Sequence, residues 1–168
     1  MGQVIEEVRL WNTPVVGAFL LYKFTDGYQR AHQYGDAPVA ILHFLASAIL
    51  TSDELKMAVS NRRSSLQSYV MSFEDGRRSD LLLSIHQRLS DKLEYTWKSI
   101  DIAVANGLLF WDVDNGKLYP AGGSSANIVR GTAPRAEMRR DGERAEILGK
   151  WFAAHDLSTI MAYFKIVL

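Results

Sequence analysis

Residues 90–120 read SDKLEYTWKSIDIAVANGLLFWDVDNGKLYP, and this stretch sets the expected fold. Leu93, Trp97, Ile100 and Val104 recur at steps of four, three and four, which stacks them on one side of a 3.6-residue helix. Lys92, Lys98 and Asp101 fall elsewhere on the wheel, where water reaches them. Ser90 offers a hydroxyl to cap the first turn, and Asn106-Gly107 stops the helix because glycine takes a left-handed conformation without steric cost. Leu108 to Asp114 then reads as a strand, Asn115-Gly116 as the pair suited to a type I′ turn, and Lys117-Leu118-Tyr119 as the returning strand. Helix, glycine, strand, turn and strand are the outline of a winged-helix ending. No residue in the stretch carries a chemistry of its own.

The bulk numbers are those of an ordinary globular domain. The chain has 168 residues, enough for one well-buried core, and 48% hydrophobic and 23% charged residues separate it from disordered sequences. Nineteen basic residues balance nineteen acidic ones. No global field therefore recruits nucleic acid or a membrane, and any such binding needs a local patch. The absence of cysteine removes disulfides, thiolate catalysis and cysteine-ligated zinc, and it fits a reducing compartment. The apolar run 14–22 is too short to span a bilayer and has no basic region before it. A cytoplasmic location without membrane contact is expected.

Outward from the hairpin, the pattern predicts a mainly α single domain over 1–168. It has a helical N-terminal part at about 12–60, a winged-helix-like part at about 64–120 with its β-hairpin at about 108–119, and C-terminal helices at about 135–166. Thr13-Pro14 opens a helix that is apolar nearly all round and so belongs in the centre. Thr25-Asp26-Gly27 is expected to end it near Phe24, with a separate helical turn at 28–34. Asp36 is expected to cap a second apolar helix over 38–50, and Ser52-Asp53-Glu54 opens a short third one. Leu66, Tyr69, Val70 and Phe73 mark a fourth helix, and Leu81, Leu82, Ile85 and Leu89 a fifth. Together with 91–106 and the hairpin, these last two form the winged-helix unit, with the first two long helices on its back. Residues 121–134, rich in Gly, Ser, Ala and Thr, read as a surface connector. Met138, Ala145, Leu148, Trp151 and Phe152 then line another helix, which Gly142 weakens. The apolar end, from Ile160 through Phe164 to residues 166–168, is expected to dock internally against Trp151 and Phe152.

Candidate chemistry is sparse. His32, His43, His86 and His155 show no metal-ligand spacing, and His43 within its apolar helix reads as a core histidine. No nucleophile elbow, phosphate-binding loop or dinucleotide fingerprint is present. Gly122-Gly123-Ser124-Ser125 lacks a following helix with a lysine and reads as a connector. The pattern calls for no enzyme, cofactor or metal. DNA binding would need basic groups on the helix 91–106 or the wing, yet the wing carries Asp112 and Asp114. The basic doublets Arg62-Arg63, Arg77-Arg78 and Arg139-Arg140 lie elsewhere and would have to converge to form a patch. Protein binding is the more economical use, through Trp111, Asp112, Asp114 and Tyr119, with Trp11 and Tyr163 as further aromatic candidates.

Trp11-Asn12-Thr13-Pro14 opening an apolar helix, Asn106-Gly107-Leu108-Leu109 entering the hairpin, and Leu148-Gly149-Lys150-Trp151-Phe152 near the end resemble the middle components of bacterial three-component ABC systems. That resemblance implies a non-enzymatic connector. It would bind an SMC/RecF-like ABC ATPase and an effector protein of the same operon, in a locus serving anti-phage defence. Homo-oligomerisation stays open, and DNA would be met only through the partner complex. The family has no catalytic residues to carry over. The alternative class is a winged-helix DNA-binding regulator.

Overall fold

The computed structural model describes residues 13–61, 65–122 and 136–167. Its elements are α1 (Pro14–Ala31), α2 (Ala40–Leu50), α3 (Asp53–Met57), α4 (Leu66–Asp75), α5 (Ser79–Asp91), α6 (Leu93–Ala105), β1 (Leu109–Asp112), β2 (Lys117–Pro120), α7 (Ala136–Ala153) and α8 (Leu157–Tyr163). The architecture is mainly helical, with one antiparallel hairpin among the described residues. Three helices, α4 to α6, precede the hairpin in the order a winged helix requires. The hairpin is not held by them alone, because residues 38–40 bridge its outer strand.

The molecule is built around α1. Its most extensive contact is with α7, and the next is with α6. Gly142 faces the Phe19 ring, a Cβ on Gly27 would come 2.5 Å from the Glu146 carbonyl oxygen, and one on Gly149 would strike the Phe24 carbonyl. These contacts advance in step along both chains, so α1 and α7 run parallel with backbones nearly touching. Gly17 plays the same part against Ser99 of α6. Side chains lock the crossing. Phe24 meets Phe152 edge to face at 5.5 Å, and Lys23 reaches Glu146 at 3.0 Å.

This packing explains several departures from the periodicity. Thr25-Asp26-Gly27 does not end α1, which continues to Ala31; Gly27 is there for close approach, and of the turn expected at 28–34 residues 28–31 are part of the helix while 32–34 follow its end. Gly142 likewise lies buried within an unbroken α7. Ser90 sits inside α5 and caps nothing, with Lys92 at the joint between α5 and α6. The buried stripe of α6 is Thr96, Ser99, Ile100 and Ala103, whereas Leu93 and Trp97 are 51% and 44% exposed. A close helix crossing selects small residues, so hydrophobicity alone misphased this helix by part of a turn.

The connector to α2 also differs. Asp36 does not cap α2, which starts at Ala40 with Val39 before it. Its carboxylate instead receives Lys117 at 2.6 Å and the Tyr119 hydroxyl at 3.3 Å. The hairpin loop is a four-residue turn, 113–116, because Asp112 pairs with Lys117. Only Gly116 there has positive φ, so it is not the type I′ turn, which needs two such residues. Asp112 closes it by accepting from the Asn115 backbone and side-chain amides at 3.2 and 2.8 Å. At the far end, Asp156 caps α8, accepting from the Thr159 amide. Ile160 and Phe164 dock internally, with Phe164 beside Phe152. Ile166 is half-buried and Val167 is 95% exposed, so the expected docking stops there; Leu168 lies outside the described residues.

His43 is fully buried between α2 and α1. The Thr25 hydroxyl spends its one proton on the Leu21 carbonyl at 2.7 Å. The 2.8 Å contact to His43 Nε2 is therefore a donation from the ring. Its Nδ1 has no hydrogen-bond partner. Burial pulls the imidazole down to about 4, against the opposing pull of the Val39 and Ala40 carbonyls. In the unfolded chain the same ring takes up its proton near pH 6.5. Between those values the unfolded state binds more protons, so this contribution is complete above pH 6.5 and is lost as pH falls toward 4.

Two outcomes follow from this core. Gly149→Ala should destabilise by about 1–3 kcal/mol, lowering Tm by roughly 3–10 °C, although the same change in an open helix would stabilise. Urea denaturation of the wild-type chain should lose about 3 kcal/mol between pH 6.5 and 4 through His43, and His43→Phe should flatten that slope.

Candidate interaction surface

The described residues contain no group of three or more His, Cys, Asp or Glu placed to hold a metal ion. The histidines are each engaged separately. His32 Nδ1 accepts from the Tyr34 and Asp36 amides, His86 Nε2 lies 3.2 Å from the Phe164 carbonyl oxygen, and His155 meets Tyr163 edge-on. What the fold does assemble is an aromatic surface. Phe44 of α2 meets Trp97 of α6 edge to face at 5.0 Å, and Trp97 meets Trp111 of β1 at 6.5 Å. Leu93, one turn before Trp97, and Ile41, one turn before Phe44, extend it with exposed apolar surface. An exposed apolar run of this kind is a candidate interaction surface.

The hairpin divides its side chains between two faces. Trp111 and Leu118 point toward the core, and Leu118 is fully buried. Phe110 points away and is 60% exposed. With Asp112, Tyr119, Pro120 and Ala121 it lines a shallow hollow. The Lys117 ammonium holds the Asp36 carboxyl below its usual range, and Asp36 in turn raises Lys117. This pair and Tyr119 clamp the hairpin to the connector between α1 and α2.

The residues singled out in the sequence are distributed as follows. Trp111 is half-buried in the aromatic ladder. Asp112 is spent on the turn, and its hydrogen bonds from Asn115 lower its carboxyl. Asp114 is exposed at the tip, and Tyr119 is half-buried on Asp36. Trp11, Arg62, Arg63 and residues 123–125 lie outside the described residues. Arg78 stacks over Phe73 at 5.8 Å, and Phe73 connects through Tyr69 to Trp151 near the end of α7. Arg77 is exposed at positive φ beside it. Arg139 and Arg140 stand exposed in the first turn of α7, separated from Trp151 by about 16 Å of helix. Arg77-Arg78 thus lies in the turn between α4 and α5, and Arg139-Arg140 near the start of α7. Trp97, Leu93 and Phe110 were missed as surface residues. Strand alternation around the buried Leu109 and Leu118 would have exposed Phe110, but Trp97 had no signal independent of the α6 phase.

The described residues form a mainly helical fold with a docked hairpin and a partly exposed aromatic ladder. Over residues 1–168 the chain matches the family described as ABC-three component (ABC-3C) system Middle Component 3, and it belongs to that family. No curated protein and no solved structure matches it. No helix among the described residues is long and apolar enough to cross a membrane.

The two buried-versus-exposed tryptophans give a direct check of the surface. Trp151→Ala should cost about 3–5 kcal/mol in urea denaturation. Trp97→Ala should cost less by at least about 1 kcal/mol, because nearly half of its side chain is already in water.

Proposed function

We propose that this chain is a non-enzymatic adaptor of its three-component system, joining an SMC/RecF-like ABC ATPase to an effector protein in a cytoplasmic anti-phage complex. The observation that carries this reading is the ladder Phe44–Trp97–Trp111, whose middle ring, Trp97, is exposed and adjoins the exposed Leu93 and Ile41. A chain of a multi-component family that leaves Trp97, Leu93 and Ile41 open to water beside two half-buried aromatics has a surface suited to a protein partner. The hairpin supports the same choice over a DNA-binding regulator. Its loop presents Asp112 and Asp114, which repel phosphates, and the described basic doublets lie between α4 and α5 and near the start of α7, outside the hairpin.

Co-purification from its own operon tests the proposal. Tagged full-length chain should capture both the ATPase and the third component and show no hydrolytic activity alone. Capture of neither protein overturns it. A gel shift that weakens steeply with salt, in the absence of any partner, would replace it with the DNA-binding reading.

A further inference from the structure

The hairpin has two edges, and the structure treats them differently. The β2 edge is occupied. Leu118 donates its N–H to the Pro38 carbonyl at 3.2 Å, and Ala40 donates to the Gly116 carbonyl at 2.8 Å. Since Leu118 directs its amide away from β1, its cross-strand neighbour Trp111 belongs to a non-hydrogen-bonded pair. The ladder bonds fall on Phe110–Tyr119 and Asp112–Lys117. Pro120, opposite Leu109, occupies another non-bonded position, where its missing N–H costs nothing. The N–H and C=O of Trp111 therefore point away from β2. Among the described residues no strand lies on that side and neither group has a partner.

An open edge is a template for another strand, and proteins usually guard it with lysine or proline. Here Lys117 and Pro120 are on the covered strand, whereas β1 reads Leu-Phe-Trp-Asp. Aromatic groups flank the open edge on both faces, Trp111 beside Trp97 on one and the exposed Phe110 on the other. The surrounding charge is acidic. Asp101 lies one turn beyond Trp97 on the same face of α6, and Asp112 and Asp114 occupy the hairpin end; Asp101 and Asp114 are exposed. Among nearby cations, Lys98 is paired with Glu94 and Lys117 with Asp36.

We propose that the free edge of β1 receives an extended segment of a partner protein, in which apolar residues alternate with lysine or arginine. The segment bonds to the N–H and C=O of Trp111, as residues 38–40 bond to the opposite edge. Its apolar side chains lie against Trp97 and Phe110, and its basic ones meet Asp101, Asp112 and Asp114. The partner's identity rests on the adaptor reading; the site rests on the hairpin geometry.

The test uses the full-length chain co-expressed with the two other components of its system. In the complex, exchange of the Trp111 amide should slow at least about tenfold relative to the free chain. Trp111→Pro, which removes the outward N–H but no ladder bond, should weaken capture roughly tenfold beyond Trp111→Ala. Asp101→Lys combined with Asp114→Lys should weaken capture by roughly tenfold at low salt, with less loss at high salt. If Trp111→Pro fails to fold, the exchange measurement and the charge reversal, made on exposed side chains, decide. A complex that forms with the Trp111 amide unprotected and tolerates the charge reversal overturns this docking mode while leaving the adaptor reading intact. Capture of neither component by the wild-type chain overturns both. A free chain that dimerises and protects Trp111 makes a second copy the occupant and overturns the proposal.

Discussion

The close parallel crossing of α1 and α7 is the constraint on which the other packing depends. Two helices whose backbones nearly touch can do so only where side chains are absent, and Gly27 and Gly149 supply those positions. The crossing leaves α1 enclosed by α7 and α6, with β2 also against it. That enclosure accounts for its nearly continuous apolar run, including Phe19, Leu20, Leu21 and Phe24. Polar groups that enter the same core are matched except at His43 Nδ1. Thr25 serves His43, and Asp141 is held between Lys56 at 2.9 Å and Arg144 at 2.7 Å. Removing Asp141 would take the shared carboxylate from both cations, although Lys56 keeps Asp53 at 3.2 Å.

From this core the hairpin inherits its orientation. Asp36 leaves α1 only a few residues earlier, so its ion pair with Lys117 and its bond from Tyr119 fix β2 to the central helix. Residues 38–40 then cover the same strand before α2 begins. One side of the hairpin is consequently tied down, and the other faces water beside Trp97. The aromatic ladder exists because α6 turns its small residues inward against Gly17, which forces its largest side chain outward. A surface suited to partners thus arises from the same tight packing that stabilises the core.

Much of this was legible along the chain. Leu66, Tyr69, Val70 and Phe73 are all buried as their spacing required. Ser52 caps α3 by accepting from the Leu55 amide. Ala145, Leu148, Trp151 and Phe152 form the inner face of α7. The hairpin is where the turn residues put it, and the family could be recognised from motifs that the fold uses structurally. The misreadings share one cause. Gly27, Gly142, Asp36 and Ser90 look like punctuation when judged by their neighbours in sequence, but partners more than eighty residues away give the first three other roles, and Ser90 lies inside an unbroken helix.

By itself the sequence determined what local chemistry governs: a mainly helical chain, the hairpin near 108–119, the Ser52 cap of α3 and the absence of recognisable catalytic motifs. Helix periodicity and turn chemistry act over a few residues, so one chain suffices to read them. Tertiary structure decided which face of α6 is buried, that α1 runs on through Gly27, that Asp36 clamps the hairpin, and that the Trp111 edge stays open. Each depends on how closely two distant backbones approach. A helix with apolar residues on one side and small residues on the other can bury either, and only the glycine-lined neighbour selects the small one.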